Sequence, residues 1–353
     1  MIASLLARAG LITALALTLL APDHSLAAPA KKSSKTSAVT KKKTTAKPAP
    51  KVKPGAVAAA IASGAAVNLP SRSPAEVLSG APEEAWRNPA PENLVLMELQ
   101  TGAAPAQVLM ELAPRFAPAH ASNIRALVRG GYFDGLAVLR VQDNFVTQWG
   151  DPTEGEGARA LPAGASAKLP AEFSTALTPL PFTPLAETDG WAPGNGFVDG
   201  FPVAVDREKN KAWIAHCYGV IGAGRGSEAD SSNGSSLYAV IGQAPRALDL
   251  NITTVARVLK GIEHLAALPR GSGQMGFYGA GETRTPILRT RLLADMPEAE
   301  RPSVKVLRDD HPVWNDWVAA RRNRSGWFVH NPGRVDLCST TPPVRITGLE
   351  AKP

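Results

Sequence analysis

Residues 118–151 constrain the fold most, because they specify a helix and two strands in immediate succession. Ala121, Ile124, Leu127 and Val128 repeat at helical spacing, and Gly130-Gly131 supplies the stop. Two β-rich runs come next, residues 136–141 and 145–148, with Gln142, Asp143 and Asn144 as a polar turn between them. The first run carries a single cation, Arg140, among Leu, Val and Ala. Arg is seldom buried without a partner, because an unpaired charge in an apolar setting is costly. Two readings of Arg140 are open. It pairs with a carboxylate or snorkels to a rim, or it faces a site that uses its charge.

The rest of the chain reads as mainly β with a few helices. Residues 95–99 and 108–112 are near-copies joined across Gly102 and Pro105, the pattern of a hairpin. Residues 213–221, 235–241 and 253–258 supply further strands, and residues 261–268 a helix with Ile262 and Leu265 facing inward. Ser73 before Pro74 predicts a helix to about residue 79, inside a helical lead-in over 69–91. Residues 152–208 are rich in Pro, Gly and Ala with little periodicity, so they are expected to form a long loop insertion. Beyond 270, residues 285–292, 304–307 and 335–338 read as strands. Asp310 is placed to cap a helix over 311–321, with Trp314, Trp317 and Val318 on one face. Residues 271–353 are therefore expected as a C-terminal extension packed on the main domain.

Residues 1–28 have the pattern of a secretory signal: Arg8, an uncharged apolar run over 9–20, and small residues around Ala27 and Ala28. That run is short for a membrane span, so the mature protein is expected not to cross a membrane. Residues 29–68 are rich in Lys, Ala and Pro and read as a disordered linker. Ten of the 38 Lys and Arg precede residue 55, as does one of the 31 Asp and Glu, leaving 28 cations against 30 anions. The fold itself is thus nearly neutral, which argues against nucleic acid as a partner. The Lys-rich tail is suited to electrostatic contact with an anionic envelope. The expected location is exported, the periplasm foremost. Two cysteines, Cys217 and Cys338, are either a disulfide or two buried thiols. The glycines over 222–226 lack the following Lys-Ser/Thr of a phosphate loop. No HExxH or GxSxG motif occurs, the six histidines are scattered, and no metal or cofactor is expected.

The order helix, Gly131-Tyr132-Phe133, strand with Arg140-Val141, then Asn144-Phe145 and Gln148 ahead of Gly150-Asp151 resembles the cyclophilin family of peptidyl-prolyl isomerases. Its runs F-H-R-V and x-F-x-x-Q-G-G-D match at Arg140, Phe145, Gln148, Gly150 and Asp151, while Leu139, Val146 and Trp149 depart. Asn233 to Tyr238 is similar to the family's N-G-S-Q-F-F, with Ser236 in place of Gln, and Leu248-Asp249 to its L-D pair. Ala247 replaces the preceding Trp, Ile252 a pocket His, and Gly224-Arg225-Gly226 the N-A-G loop.

The resemblance covers about residues 92–270. It implies a closed eight-stranded antiparallel β-barrel capped by two helices. It also implies a cofactor-free, monomeric prolyl isomerase acting on proline-containing polypeptides. Arg140, Phe145 and Gln148 would be catalytic, and Val146, Ser236, Tyr238, Leu248 and Ile252 would hold the proline. The alternative is a proline-peptide binding or chaperone module with little activity.

Overall fold

The computed structural model describes residues 72–153, 155–324 and 327–349; the expected signal (1–28) and linker (29–68) lie outside them. A lead-in of α1 (Pro74–Ser79) and β1 (Trp86–Arg87) comes first. β2 (Leu94–Leu99), β3 (Ala106–Leu112), α2 (Pro118–Arg129), β4 (Ala137–Val141) and β5 (Val146–Gly150) succeed it. Next come β6 (Thr175–Ala176), β7 (Thr183–Pro184), β8 (Gly194–Val198), β9 (Phe201–Asp206) and β10 (Lys211–Ile214). Then come β11 (Val220–Ala223), β12 (Leu237–Val240), β13 (Thr254–Lys260) and α3 (Ile262–Ala266). The chain ends with β14 (Ile287–Leu292), β15 (Ser303–Leu307), α4 (Pro312–Arg322) and β16 (Val344–Thr347).

Eight strands pair antiparallel in the order β14-β2-β3-β13-β11-β12-β5-β4. Across the remaining seam, Ile287 N donates to Leu136 O at 2.7 Å and Gly135 N to Ile287 O at 2.8 Å, so the barrel is nearly closed. Its interior is packed by Met97, Leu99, Val108, Ile124, Leu127, Trp149 and Leu265. The helices α2 and α3 contribute to this core through Ile124, Leu127 and Leu265, which are the periodic residues of their sequences. The near-copies β2 and β3 are apolar at almost every position because both faces are covered. Val95, Met97, Val108 and Met110 point inward, whereas Leu94, Leu96 and Leu109 meet Val304 and Val306 of β15 on the outside.

Several expectations are corrected. The boundary at 270 falls too early, since β14 is a barrel strand and the extension begins only after it. The segment 152–208 is not simply a loop: β6-β10-β9-β8-β7 form a separate sheet reaching residue 214. Phe197, Val203 and Ile214 of that sheet pack with Trp314 and Trp317 of α4 and with Val77 and Trp86 of the lead-in, making a second core. Pro184, Pro202, Gly194 and Gly196 within these strands break the alternation by which strands are read. Residues 335–338 are not a strand, and among the described residues β16 is the last one. His311 rather than Asp310 caps α4, its ring accepting from Val313 N at 3.2 Å.

Cys217, just ahead of β11, is bonded to Cys338, beyond α4, with sulfurs 2.03 Å apart. The bridge closes a loop with a sequence separation of 121. Removing such a long-loop restraint relaxes the unfolded chain, so reduction is expected to cost about 2–4 kcal/mol of stability. Urea unfolding with and without reductant measures this, and coincident midpoints would refute it.

Candidate active site

Arg140 sits opposite Gln148 in the β4–β5 ladder, whose register slips between Val138 and Arg140. Such a bulge re-aims the side chain next to it. The Arg140 guanidinium is held by neutral acceptors only. Nε donates to Met275 O at 2.6 Å, Nη1 to Gln148 Oε1 at 3.4 Å, and Nη2 to Gln142 Oε1. Its Cζ lies 5.3 Å from the ring centres of both Phe145 and Phe277. The residue is only 8% exposed, yet among the described residues it makes no ion pair. Burial lowers its pKa, opposed in small part by Tyr238. Guanidinium nonetheless remains charged in proteins, so this is a largely desolvated, un-neutralised cation.

Beside it stands an apolar wall. Val146, Tyr238 and Val240 form a small cluster separate from the barrel core, with Phe145, Leu248 and Ile252 packed against it. Gln148 joins the two halves: its Nε2 donates to Ser236 Oγ at 3.0 Å while its Oε1 faces Arg140. All eight residues singled out in the sequence line one cleft of about 790 Å³.

Tyr238 is fixed from behind. It pairs across strands with Gly222, where a β-carbon would lie 2.3 Å from the phenolic oxygen; only glycine leaves that space. The hydroxyl meets His216 Nε2 at 3.0 Å. His216 Nδ1 donates to Asp249 Oδ1 at 3.0 Å. Asp249 also accepts from Arg246 Nε at 2.6 Å and Trp213 Nε1 at 3.1 Å. Burial would raise the Asp249 pKa, but the His216 and Arg246 bonds outweigh it and hold the carboxyl below its usual range. Burial, reinforced by the Asp249 charge, pushes the Tyr238 hydroxyl pKa upward, so the pocket floor stays neutral. The wall thus presents a ring face, with its polar end satisfied underneath.

Sequence reasoning missed part of the rim. Met275 and Phe277 come from the segment between α3 and β14, and Gln142 from the polar turn. Met275 has a left-handed backbone (φ 58), and Gly276 (φ 78) lies against Gln142. The run of residues 271–281, glycines interleaved with Met275, Phe277 and Tyr278, was the available signal. Glu172 serves locally: it accepts from Ala119 N and His120 N, each at 3.0 Å, and so caps α2.

The profile of the family described as "Cyclophilin type peptidyl-prolyl cis-trans isomerase/CLD" matches residues 96–288. A probable peptidyl-prolyl cis-trans isomerase of Brucella suis biovar 1 (strain 1330) is 40% identical over 91 residues, covering 24% of this chain and 44% of that protein. A peptidyl-prolyl cis-trans isomerase of Schizosaccharomyces pombe is 39% identical over 66 residues, 18% of this chain and 41% of that protein. The chain thus spans less than half the length of the curated relatives it matches. Among solved structures, the cyclophilin AquaCyp293 from Hirschia baltica superposes with a TM-score of 0.61 at 24% identity, covering 78% of this chain and 97% of that one. That likeness concerns the fold.

Proposed function

The chain belongs to the cyclophilin-type peptidyl-prolyl cis-trans isomerase family, and on that premise we propose that it accelerates rotation about X-Pro bonds in polypeptides. One observation carries the reading. A buried guanidinium with no carboxylate partner among the described residues stands next to an apolar wall, inside one cleft.

The chemistry derives from the peptide bond. Rotation is opposed by a barrier of about 18–20 kcal/mol because the nitrogen lone pair is delocalised into the carbonyl. At the twisted geometry the lone pair localises on the prolyl nitrogen. An N–H of Arg140 can then donate to that nitrogen and competes with the resonance. The interaction exists only in the twisted state, so it lowers the barrier rather than tightening ground-state binding. Phe145, Val146, Tyr238, Leu248 and Ile252 would hold the ring. Gln148, positioned by Ser236, would orient Arg140 and the substrate backbone. No covalent intermediate and no obligatory proton transfer are required.

Interconversion of a short X-Pro peptide, monitored by exchange between its cis and trans signals, tests the proposal. Rates equal with and without protein would sink it. Binding without acceleration would leave a proline-peptide binding module instead.

The physiological setting in this reading is folding of exported proteins, with the periplasm as compartment. It is supported by the signal-like pattern of residues 1–28 and by the Cys217–Cys338 bond, since disulfides persist in oxidising compartments. Cell fractionation with thiol labelling checks it; cytoplasmic protein with both thiols free would end the export reading.

A further inference from the structure

We infer that the cleft selects proline peptides carrying a carboxylate beside the X-Pro bond, and that Arg225 is the residue that reads it. The inference rests on the isomerase reading of the cleft and adds a substrate class to it.

The first observation is charge. Among the described residues, the charged ones lining the cleft are Arg140, Arg159, Arg225 and Asp151. Three guanidiniums therefore face one carboxylate, on a fold with 28 cations against 30 anions overall. Asp151 is occupied by its own loop, accepting from Thr153 N at 2.9 Å and from Arg159 N. Arg159 reaches the other way, its Nη1 donating to Tyr132 O at 2.8 Å and Asp134 O at 2.7 Å.

The second observation is how Arg225 is held. Its Nε donates to Asn251 O at 2.9 Å, and its Nη1 to Gly226 O at 2.8 Å and Ser227 O at 3.1 Å. The guanidinium lies 5.9 Å over the Phe173 ring. These contacts fix its plane without neutralising it, because carbonyl oxygens and a ring carry no net charge. Among the described residues Arg225 makes no ion pair, and its Nη2 makes no hydrogen bond. The nearby Asp230 is taken by Lys168 at 2.8 Å. A preoriented guanidinium with a free N–H edge matches a carboxylate and loses little entropy in binding it.

The third observation is place. Gly224, adjacent in sequence, abuts the catalytic side: a β-carbon there would lie 3.1 Å from Ser236 Oγ and 3.3 Å from Gln148 Nε2. A peptide whose proline occupies the apolar wall therefore runs past residues 224–226 with its neighbouring residue. A carboxylate on that residue meets Arg225 at the rim, and a Lys there meets an un-neutralised cation. The same contacts also staple the 224–227 loop, so the test must read charge preference rather than loss of function.

The experiment uses the full chain and peptides identical except for Glu, Ala or Lys at each position flanking the X-Pro pair in turn. At low ionic strength kcat/KM is expected to favour Glu over Lys about 10-fold at one flanking position. The ratio should fall to about 2-fold in 1 M salt, where the screening length is about 3 Å. In Arg225→Gln the low-salt ratio should fall to about 2-fold, and Arg225→Lys should lie between. Equal rates for Glu and Lys at every position, or an undiminished preference in a folded Arg225→Gln, would overturn the inference; if that variant does not fold, the wild-type salt series still decides. Kd values for the same peptides separate this inference from the isomerase reading. Turnover without charge preference ends the first alone, and charge-selective binding without turnover ends the second alone. Neither binding nor turnover ends both.

Discussion

Arg140→Ala is expected to lower kcat/KM for X-Pro isomerisation by about 100-fold or more, the loss seen when one preorganised transition-state donor is removed. Affinity for the same peptide should change only a few-fold, because in this reading the apolar wall of Phe145, Tyr238 and Leu248 would hold the ring independently. Arg140→Lys should recover little. An ammonium is a point charge that cannot reproduce donation from Nε to Met275 O while Nη1 faces Gln148. Since Arg140 has no ion-pair partner among the described residues, its removal strands no buried carboxylate. The variant should therefore remain folded, and the rate loss can be read as catalysis. Rates within about twofold of wild type would remove Arg140 from the mechanism.

Glu111→Ala should have the opposite profile: a stability loss of about 3–5 kcal/mol, the usual consequence of stranding one member of a buried ion pair. Arg257 on β13 is 4% exposed, and its Nε and Nη2 donate to Glu111 Oε2 at 3.1 and 2.8 Å. Glu111 Oε1 also receives Arg87 Nη2 at 2.7 Å, so one deletion strands two guanidiniums. Burial pulls the Arg257 pKa downward, and the Glu111 charge opposes that pull. Arg257 further donates to Gly200 O between β8 and β9 and lies 4.7 Å over Phe201, so it anchors the inserted sheet on the barrel wall. Replacing the pair together, Glu111→Leu with Arg257→Met, should recover only part of the loss, since Arg257 is then no longer stranded but Arg87 still lacks its carboxylate. Urea midpoints of the single and double variants decide the matter; a single variant within about 1 kcal/mol of wild type would show the pair to be dispensable.

Much of the barrel was legible because its signals are local. Helical spacing from Ala121 to Val128, the Gly130-Gly131 stop and the turn at Asn144 act within a few residues and survived into α2, β4 and β5. Six of the eight cleft residues to which the family resemblance pointed come together for a related reason. Arg140, Phe145, Val146 and Gln148 sit on the adjacent β4 and β5 or the turn joining them, and Ser236 and Tyr238 lie on or beside the next strand, β12, so fixed spacing becomes fixed geometry. Met275 and Phe277 were not legible, because nothing in their own segment says that closing β14 onto β2 carries them past Arg140. The β6–β10 sheet was hidden by its prolines and glycines, and its core takes in Trp314 and Trp317 of α4, far along the chain.

Arg140 and Arg257 show where the division lies. In the sequence each is a cation set in an apolar strand, and nothing in its local pattern says what it meets. Arg257 receives Glu111, 146 residues away in the chain, and becomes an anchor. Arg140 receives the Met275 carbonyl, 135 residues away, together with two aromatic rings, and makes no ion pair among the described residues. The chain's own periodicities determined that a strand would form and which side chain would stand in it. Whether that side chain meets a carboxylate or only neutral groups depends on segments brought in by barrel closure, because electrostatic energy is set by distance in space and not by separation along the chain.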